Sequence, residues 1–362
     1  MSTRLSKRSP MASNRFGKHF ALTTFGESHG VAIGGIIDGC PAGIEINFAS
    51  VQHQLNRRKP GQNQWVTPRQ EADEVEWLSG IFEGKTTGAP IGFVLKNNDT
   101  RSVDYSAIQS VYRPGHADFV YEKKYGHRDH RGGGRSSARE TACRVVAGAI
   151  AAQILAQMGI TITAYVNSIK DLHVSQSYAF LPLHTVDQSP VRCPEKTTSD
   201  RMVQLIEEAK NKKDSVGGTI VCVSEGVPIG WGSPIYEKLN AALAHAMFSI
   251  NAVKGFEMGD GFSSTLRYGS QNNDAVMGGT NHDGGITGGI SNGKDIWFKV
   301  AFKPTSSIGQ TQTTQDVSGS SVPLTLEGRH DPCVLIRAVP IIEATTAIIL
   351  YNAFLENKIE TN

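Results

Sequence analysis

His19 to Phe25 and Val31 to Asp38 are short runs rich in apolar residues, set apart by a polar, glycine-flanked stretch. The pattern predicts two strands joined by the loop Gly26-Glu27-Ser28-His29-Gly30. Phe48, Val51 and Leu55 recur at helical spacing, and that helix runs into the basic stop Arg57-Arg58-Lys59 before Pro60-Gly61. Val75 to Phe82 and Pro90 to Leu95 read as a hairpin around Glu83 to Gly88. The clearest helix follows the polar, Gly- and Arg-rich stretch from Arg113 to Arg135. It opens on Ser137-x-x-Glu140, a capping box, continues apolar through Leu155, and meets Gly159 where a left-handed C′ residue belongs. Strands are further expected over Ile160–Val166, Gly218–Val223 and Ile296–Phe302, and helices over Asp200–Lys212, Pro234–Phe248 and Cys333–Leu355. The Pro-containing segment Asp171–Ser199 is irregular and reads as a peripheral insertion.

Strands and helices do not alternate regularly, so an α+β fold is expected and a doubly wound parallel sheet is disfavoured. Gly134-Arg135-Ser136 and Gly328-Arg329-His330 each precede a long apolar helix, a hint of two similar halves. No linker composition interrupts the chain. Residues 14–362 are expected to form a single catalytic domain after a leader, 1–13, without ordered structure. That leader is basic and Ser-rich but lacks the apolar region of a secretory signal, and Met11 is an alternative start.

Composition narrows the chemistry. A net charge of +2 gives no reason to expect a nucleic-acid partner. No apolar run suggests a membrane span. The 5 cysteines are scattered without a C-x-x-C pair, which argues against a disulfide scaffold or metal site and fits a reducing cytoplasm. The 38 glycines in 362 residues exceed the usual share and mark turns or close backbone approaches to a ligand.

Several loops combine glycine with cations and hydroxyls. Gly132-Gly133-Gly134-Arg135-Ser136-Ser137-Ala138-Arg139-Glu140 joins a flexible backbone, a helix start and two guanidiniums, a combination suited to phosphate. Arg57–Gly61, Arg113-Pro114-Gly115-His116 and Lys303-Pro304-Thr305-Ser306-Ser307 repeat the theme, as does Gly328-Arg329-His330-Asp331-Pro332. If they converge, the ligand is small and multiply anionic. His29 and His116 sit in Gly-flanked loops and can exchange a proton near neutral pH. His127 and His130 lie three apart without a further soft ligand, so no metal is expected.

Two other motifs lead elsewhere. Gly26-x-Ser28-x-Gly30 matches the nucleophile elbow of a serine hydrolase, but a strand, not a helix, is expected after it. Gly80-Ile81-Phe82-Glu83-Gly84-Lys85-Thr86 resembles a Walker loop one residue short and lies within a hairpin. A non-catalytic flavin- or phosphate-binding module would explain the loops while leaving the histidines idle.

Taken together, Thr23 to Gly30, Arg113 to Asp118, Arg131 to Thr141, Ser249 to Gly255, Lys303 to Ser307 and Gly328 to Cys333 resemble the chorismate synthase family. The likeness runs from about Asn14 to Tyr351. It implies helices packed between two antiparallel sheets, usually in a homotetramer. It also implies an anti 1,4-elimination of phosphate from 5-enolpyruvylshikimate 3-phosphate to give chorismate, the last step of the shikimate pathway. Reduced FMN is required, with no net redox change.

The resemblance assigns residues as well. His29 matches the histidine that protonates departing phosphate, His116 the one near the flavin ring, and Asp331 an acid assisting proton movement there. Arg135, Ser136, Ser137, Asn251, Ala252, Gly288, Lys303, Pro304, Thr305, Ser306, Ser307 and Arg329 match FMN contacts. Ser28, Arg58, Arg139 and Arg337 match substrate positions, and Arg58 also one assigned to nicotinamide nucleotide (NADP). Two departures stand out. Gln64 replaces an Arg often found six residues after Arg58, and Gly269–Gly284 is shorter than in many relatives. No dinucleotide fingerprint is present, so reduced flavin is expected from an outside source.

Overall fold

Ile33 and Ile37, Ile91, Phe93 and Leu95, and Ile296, Phe298, Val300 and Phe302 are all buried at every second position of their strands. That period turns one face of each strand inward. The computed structural model describes residues 14–62, 65–66, 72–97, 109–326 and 331–361. The leader, Gln64 and Arg329 fall outside them.

The first antiparallel sheet contains β1 (Arg15–Phe16), β2 (Ala21–Gly26), β3 (Ala32–Asp38), β4 (Val75–Trp77) and β7 (Ile91–Lys96), in the order β1-β2-β3-β7-β4. The second contains β8 (Thr161–Ile169), β9 (Leu172–His173), β10 (Gly218–Glu225), β11 (Val253–Met258) and β14 (Ile296–Phe302), in the order β9-β8-β10-β14-β11. Three small hairpins lie outside the sheets: β5–β6 (Ile81–Phe82, Lys85–Thr86), β12–β13 (Ile286–Thr287, Ile290–Ser291) and β15–β16 (Gln312–Gln315, Ser321–Leu324). The helices are α1 (Phe48–Arg58), α2 (Asp118–Tyr125), α3 (Thr141–Ala156), α4 (Lys196–Asn211), α5 (Leu239–Phe248), α6 (Gly269–Asn272) and α7 (Leu335–Thr361).

Helix α3 packs on β2 and β3, α7 packs on β8 and β10, and the two helices pack on each other between the sheets. This is the expected α+β sandwich. Gly148 lets them approach closely, since a Cβ there would lie 2.4 Å from the Cα of Ala344. The hinted repeat is a repeat of connectivity. The run β2, β3, α1, β4, β7, α3 is matched by β8, β10, α5, β11, β14, α7, with the same neighbours in each sheet. One long helix per half therefore reaches the middle layer, and both start at the same end.

Local signals explain most boundaries. Ile160 N–H donates to Leu155 O (3.2 Å) and Gly159 N–H to Ala156 O (3.0 Å), a Schellman closure with Gly159 at φ +78. Ser137, in contrast, caps a 3-10 turn (Ala138–Glu140) by accepting from Arg139 N–H, and α3 proper begins at Thr141. The expected single hairpin over 75–95 is two nested pairings. β4 pairs with β7, while β5–β6 turns separately on Glu83 and Gly84, both at positive φ as a type I′ turn requires.

Two expectations need correction. Helix α7 is long and apolar enough to cross a membrane by composition, contrary to the sequence reading, but most of it is buried as the core helix of the second half. The segment 171–199 is irregular yet not peripheral. It buries Leu181, Val186, Val191 and Cys193, and its Arg192 reaches into the centre of the molecule. Pro340 inside α7 has no N–H for the carbonyl of Ile336, and the Arg192 guanidinium donates to that oxygen instead (2.5 Å). The 5 cysteines are all buried and unpaired, and burial pushes the Cys143 thiol up to about 12.

Candidate active site

The ends of α3 and α7 that start the two long helices border one cavity of about 520 Å³. Free N–H groups and the helix dipoles at such ends favour an anion. Loops from both halves complete the wall: His29 from the β2–β3 loop, Arg58 from the end of α1, Arg113 to Ala117 before α2, Ile250 to Ala252 after α5, and Lys303 to Ser307 after β14.

Glycines let these loops touch. Gly132 has φ +138, and a Cβ there would lie 2.5 Å from the His29 ring, so the imidazole rests directly on backbone. Ser28 holds the ring as well, its Oγ lying 3.0 Å from His29 Nδ1. Gly115, at φ +68, would meet Ser306 Oγ at 2.6 Å if it carried a Cβ. Ala252 adopts φ +67 although it is not glycine, a strained backbone at a pocket-lining residue. Its carbonyl accepts from Lys303 N–H (3.0 Å) and Asn251 Nδ2 donates to Ser136 O (2.8 Å), tying the loop after α5 to both neighbours.

His116 Nδ1 lies 2.9 Å from the carbonyl of Pro114, which can only accept, so Nδ1 carries the proton of the neutral ring. Nε2 then accepts from Ser307 Oγ at 2.8 Å. Burial, and next the charge of Arg113, hold His116 below the usual histidine range. In the ligand-free protein the ring is therefore held toward its neutral form and gains its proton only below the ordinary histidine value. An anion bound beside it favours the protonated ring and so offsets the Arg113 effect. Histidine NMR titration is expected to show His116 protonating below that value without ligand and at higher pH with FMN. A ligand-free ring that protonates above it contradicts this assignment.

The cations of the wall are mostly paired. Arg113 forks onto Asp118 through Nε and Nη2, both at 2.7 Å, and Arg337 Nη1 meets Asp331 Oδ2 at 2.6 Å. Lys303 has no carboxylate among the described residues; its amine donates to Gly115 O (3.0 Å) and Ser306 Oγ (2.7 Å). Burial and Lys254 hold the Lys303 amine below its ordinary value. It is the lining cation best placed to take a new anion. Ile250, Phe302, Val334, Ala338 and Ile341 supply the apolar part of the lining.

His29, His116, Asp331, Arg58, Arg337, Ser136, Ser137, Asn251, Ala252 and Lys303 to Ser307 thus line one cavity. Four of the expected residues stand elsewhere. Ser28 is buried behind His29. Arg139 lies behind Arg58 and bonds to Asp73, Asn97 Oδ1 (2.9 Å) and Lys96 O (3.2 Å). Arg135 turns to the far side of its loop, donating to Gly26 O (3.1 Å) and Thr24 Oγ1 (2.7 Å). Gly288 sits in the β12–β13 turn away from the cavity. Asp73, which grips Arg58 together with Thr141, escaped the sequence reading because it belongs to no Gly- or Arg-rich motif, and Thr141, at the end of such a stretch, was given no role of its own. The elbow-like Ser28 is followed by β3, so the hydrolase geometry is absent among the described residues.

The chain can be set against known proteins on this footing. A family model described as "Chorismate synthase" matches residues 20–355. The "Chorismate synthase" of Christiangramia forsetii is 55% identical over 352 residues, covering 96% of this chain and 99% of that protein. That of Porphyromonas gingivalis is 54% identical over 355 residues, covering 95% and 96%. A solved structure described as "Crystal Structure of Chorismate Synthase" superposes with a TM-score of 0.75 at 31% identity, over 94% of this chain and 93% of that one. With nearly full-length agreement in sequence and in fold, the chain belongs to the chorismate synthase family.

Proposed function

We propose that this protein converts 5-enolpyruvylshikimate 3-phosphate to chorismate and phosphate, with reduced FMN bound beside the substrate. The observation that carries the reading is the convergence of His29, His116 and Asp331 on one cavity with Lys303, Arg58 and Arg337. In the elimination one C–O bond to phosphate and one C–H bond at C6 break, and the ring gains a double bond. His29 delivers a proton to the departing phosphate. Asp331, held by Arg337, and His116, held by Ser307 and Pro114, hold and move protons within the same pocket.

The residues present fit a flavin mononucleotide. An apolar wall of Ile250, Ala252, Phe302 and Val334 suits a flat ring system, and Lys303 with the hydroxyls of Ser136, Ser137, Thr305, Ser306 and Ser307 suits its phosphate. When bound, reduced FMN supplies transient electron density to the reacting ring and recovers it. We read Arg329 as a further contact, and Arg135 and Gly288 as outer ones. Residues 14–362 are read as one catalytic domain, supported by a continuous core. We read the assembly as a homotetramer, which the exposed apolar residues Phe262, Leu266, Tyr268, Val276 and Met277 support; the mass in solution tests it.

The functional test is anaerobic. Protein, 5-enolpyruvylshikimate 3-phosphate and chemically reduced FMN are expected to give chorismate, and the same mixture with oxidised FMN none. Absence of product with reduced flavin would refute the lyase and return the non-catalytic module.

A further inference from the structure

Behind the anion-binding wall lies a carboxylate that no motif announced. The Asp73 side chain is fully buried and takes Arg58 Nη1 on Oδ2 (3.1 Å) and Arg139 Nη1 on Oδ1. Arg58 is otherwise fixed by Thr141 Oγ1 (3.2 Å) at the start of α3 and by Ala138 O (2.7 Å) in the 3-10 turn before it. Its own carbonyl accepts from Arg337 Nε (3.2 Å), so the Asp73 cluster reaches the guanidinium that starts α7. Asp73 itself stands at φ +51, and its carbonyl accepts from Gln52 of α1 (3.3 Å).

Three guanidiniums thus meet two carboxylates, Asp73 and Asp331. Like charges at such range repel strongly in a buried site. The strain shows at Arg58, lowered to about 10 by burial and then by Arg337 and Arg139 against the pull of Asp73. Asp73 stays ionised: burial opposes its charge, but Arg58, Arg139 and Arg337 together hold it below the usual carboxylate range.

We propose that Asp73 is a positioning residue for the reaction: by sharing one buried carboxylate between Arg58 and Arg139 it fixes the Arg58 guanidinium at the pocket wall before substrate arrives. The inference rests on the lyase reading above. Asp73 touches no substrate. It acts through Arg58, and it keeps the Arg58–Arg139 pair at a net charge of one instead of two. Donors fixed in advance at a site of charge are worth more than donors that must reorganise. Removing the carboxylate therefore separates two effects. Attraction for a multiply anionic substrate grows, while the geometry that makes the attraction productive is lost.

The test uses full-length Asp73→Asn and Asp73→Glu beside the unsubstituted protein. Turnover of 5-enolpyruvylshikimate 3-phosphate with chemically reduced FMN is followed at low and high KCl. Asp73→Asn is expected to lose roughly 10²-fold in kcat, the scale of a small misplacement at a reacting centre. Its KM is expected to be no higher than the unsubstituted value at low salt and to rise more steeply with KCl. Asp73→Glu keeps the charge and is expected to restore the normal salt dependence with an intermediate kcat. An Asp73→Asn enzyme with unchanged kcat, or with KM raised at low salt, overturns the proposal. Should Asp73→Asn fail to fold, Asp73→Glu decides: full kcat overturns the proposal, and a reduced kcat with normal salt dependence supports it. Lack of turnover by the unsubstituted protein would instead refute the lyase reading.

Discussion

Replacing His29 with Ala is expected to lower kcat by about 10²–10⁴, the usual worth of a positioned proton donor, with FMN binding retained. The expectation follows from how tightly the ring is placed. A Cβ at Gly132 would lie 2.5 Å from the imidazole, so glycine lets the ring sit against backbone, and Ser28 Oγ lies 3.0 Å from Nδ1. A ring fixed by a close backbone approach and a hydrogen bond delivers its proton to one place. The FMN-suited residues come from other elements: Ser136 and Ser137 before α3, Asn251 and Ala252 after α5, and Lys303 to Ser307 after β14. A binding titration with oxidised FMN beside steady-state turnover checks both halves of the expectation. Loss of binding together with turnover would mean that His29 holds the loops and not the reaction.

The largest stability effect is expected at Glu343. This carboxylate lies in the middle of α7, accepts from Ala164 N–H of β8 (2.9 Å), and pairs with Arg57 of α1. Asp187 adds a second, half-exposed partner to Arg57 at 3.0 Å. Burial works against the Arg57 charge, yet Glu343 and then Asp187 raise its pKa above the ordinary arginine value. Truncation to Ala leaves the buried guanidinium with one half-exposed carboxylate, Asp187, and the neutral Gln54 Oε1 (2.7 Å), and strands the Ala164 N–H. Breaking a buried pair from one side costs about 3–5 kcal/mol, and the remaining Asp187 contact places this case near the lower end. Glu343→Gln keeps an acceptor for Ala164 and is expected to lose less. Urea unfolding of both variants checks the order. Equal stability of Glu343→Ala and the unsubstituted protein would contradict it.

How much of this was legible in the chain depends on the range of the interaction. The strands at Ala21–Gly26, Ala32–Asp38 and Ile296–Phe302 and the Schellman end at Gly159 follow from neighbours a few residues apart, and sequence patterns report those directly. The pocket loops were legible for the same reason, since glycine beside cation and hydroxyl is a local signature. Contacts across the chain were not. Arg192 answers the carbonyl that Pro340 leaves open in α7, and the two meet only because segment 171–199 folds inward. Read alone, that segment has the composition of a loop. Arg135 and Arg139 carry the right motif, but neighbours of opposite charge or lone-pair character turn them from the cavity. A motif places a residue at a site; it does not aim its side chain.

The central claim is an elimination without net redox change, and one stoichiometric measurement addresses it most directly. Under strict exclusion of oxygen, chorismate, inorganic phosphate and the redox state of FMN are followed in one sample through many turnovers. The expected result is chorismate and phosphate in equal amounts with FMN still reduced at the end. Phosphate without chorismate, or FMN oxidised in step with product, would contradict the account.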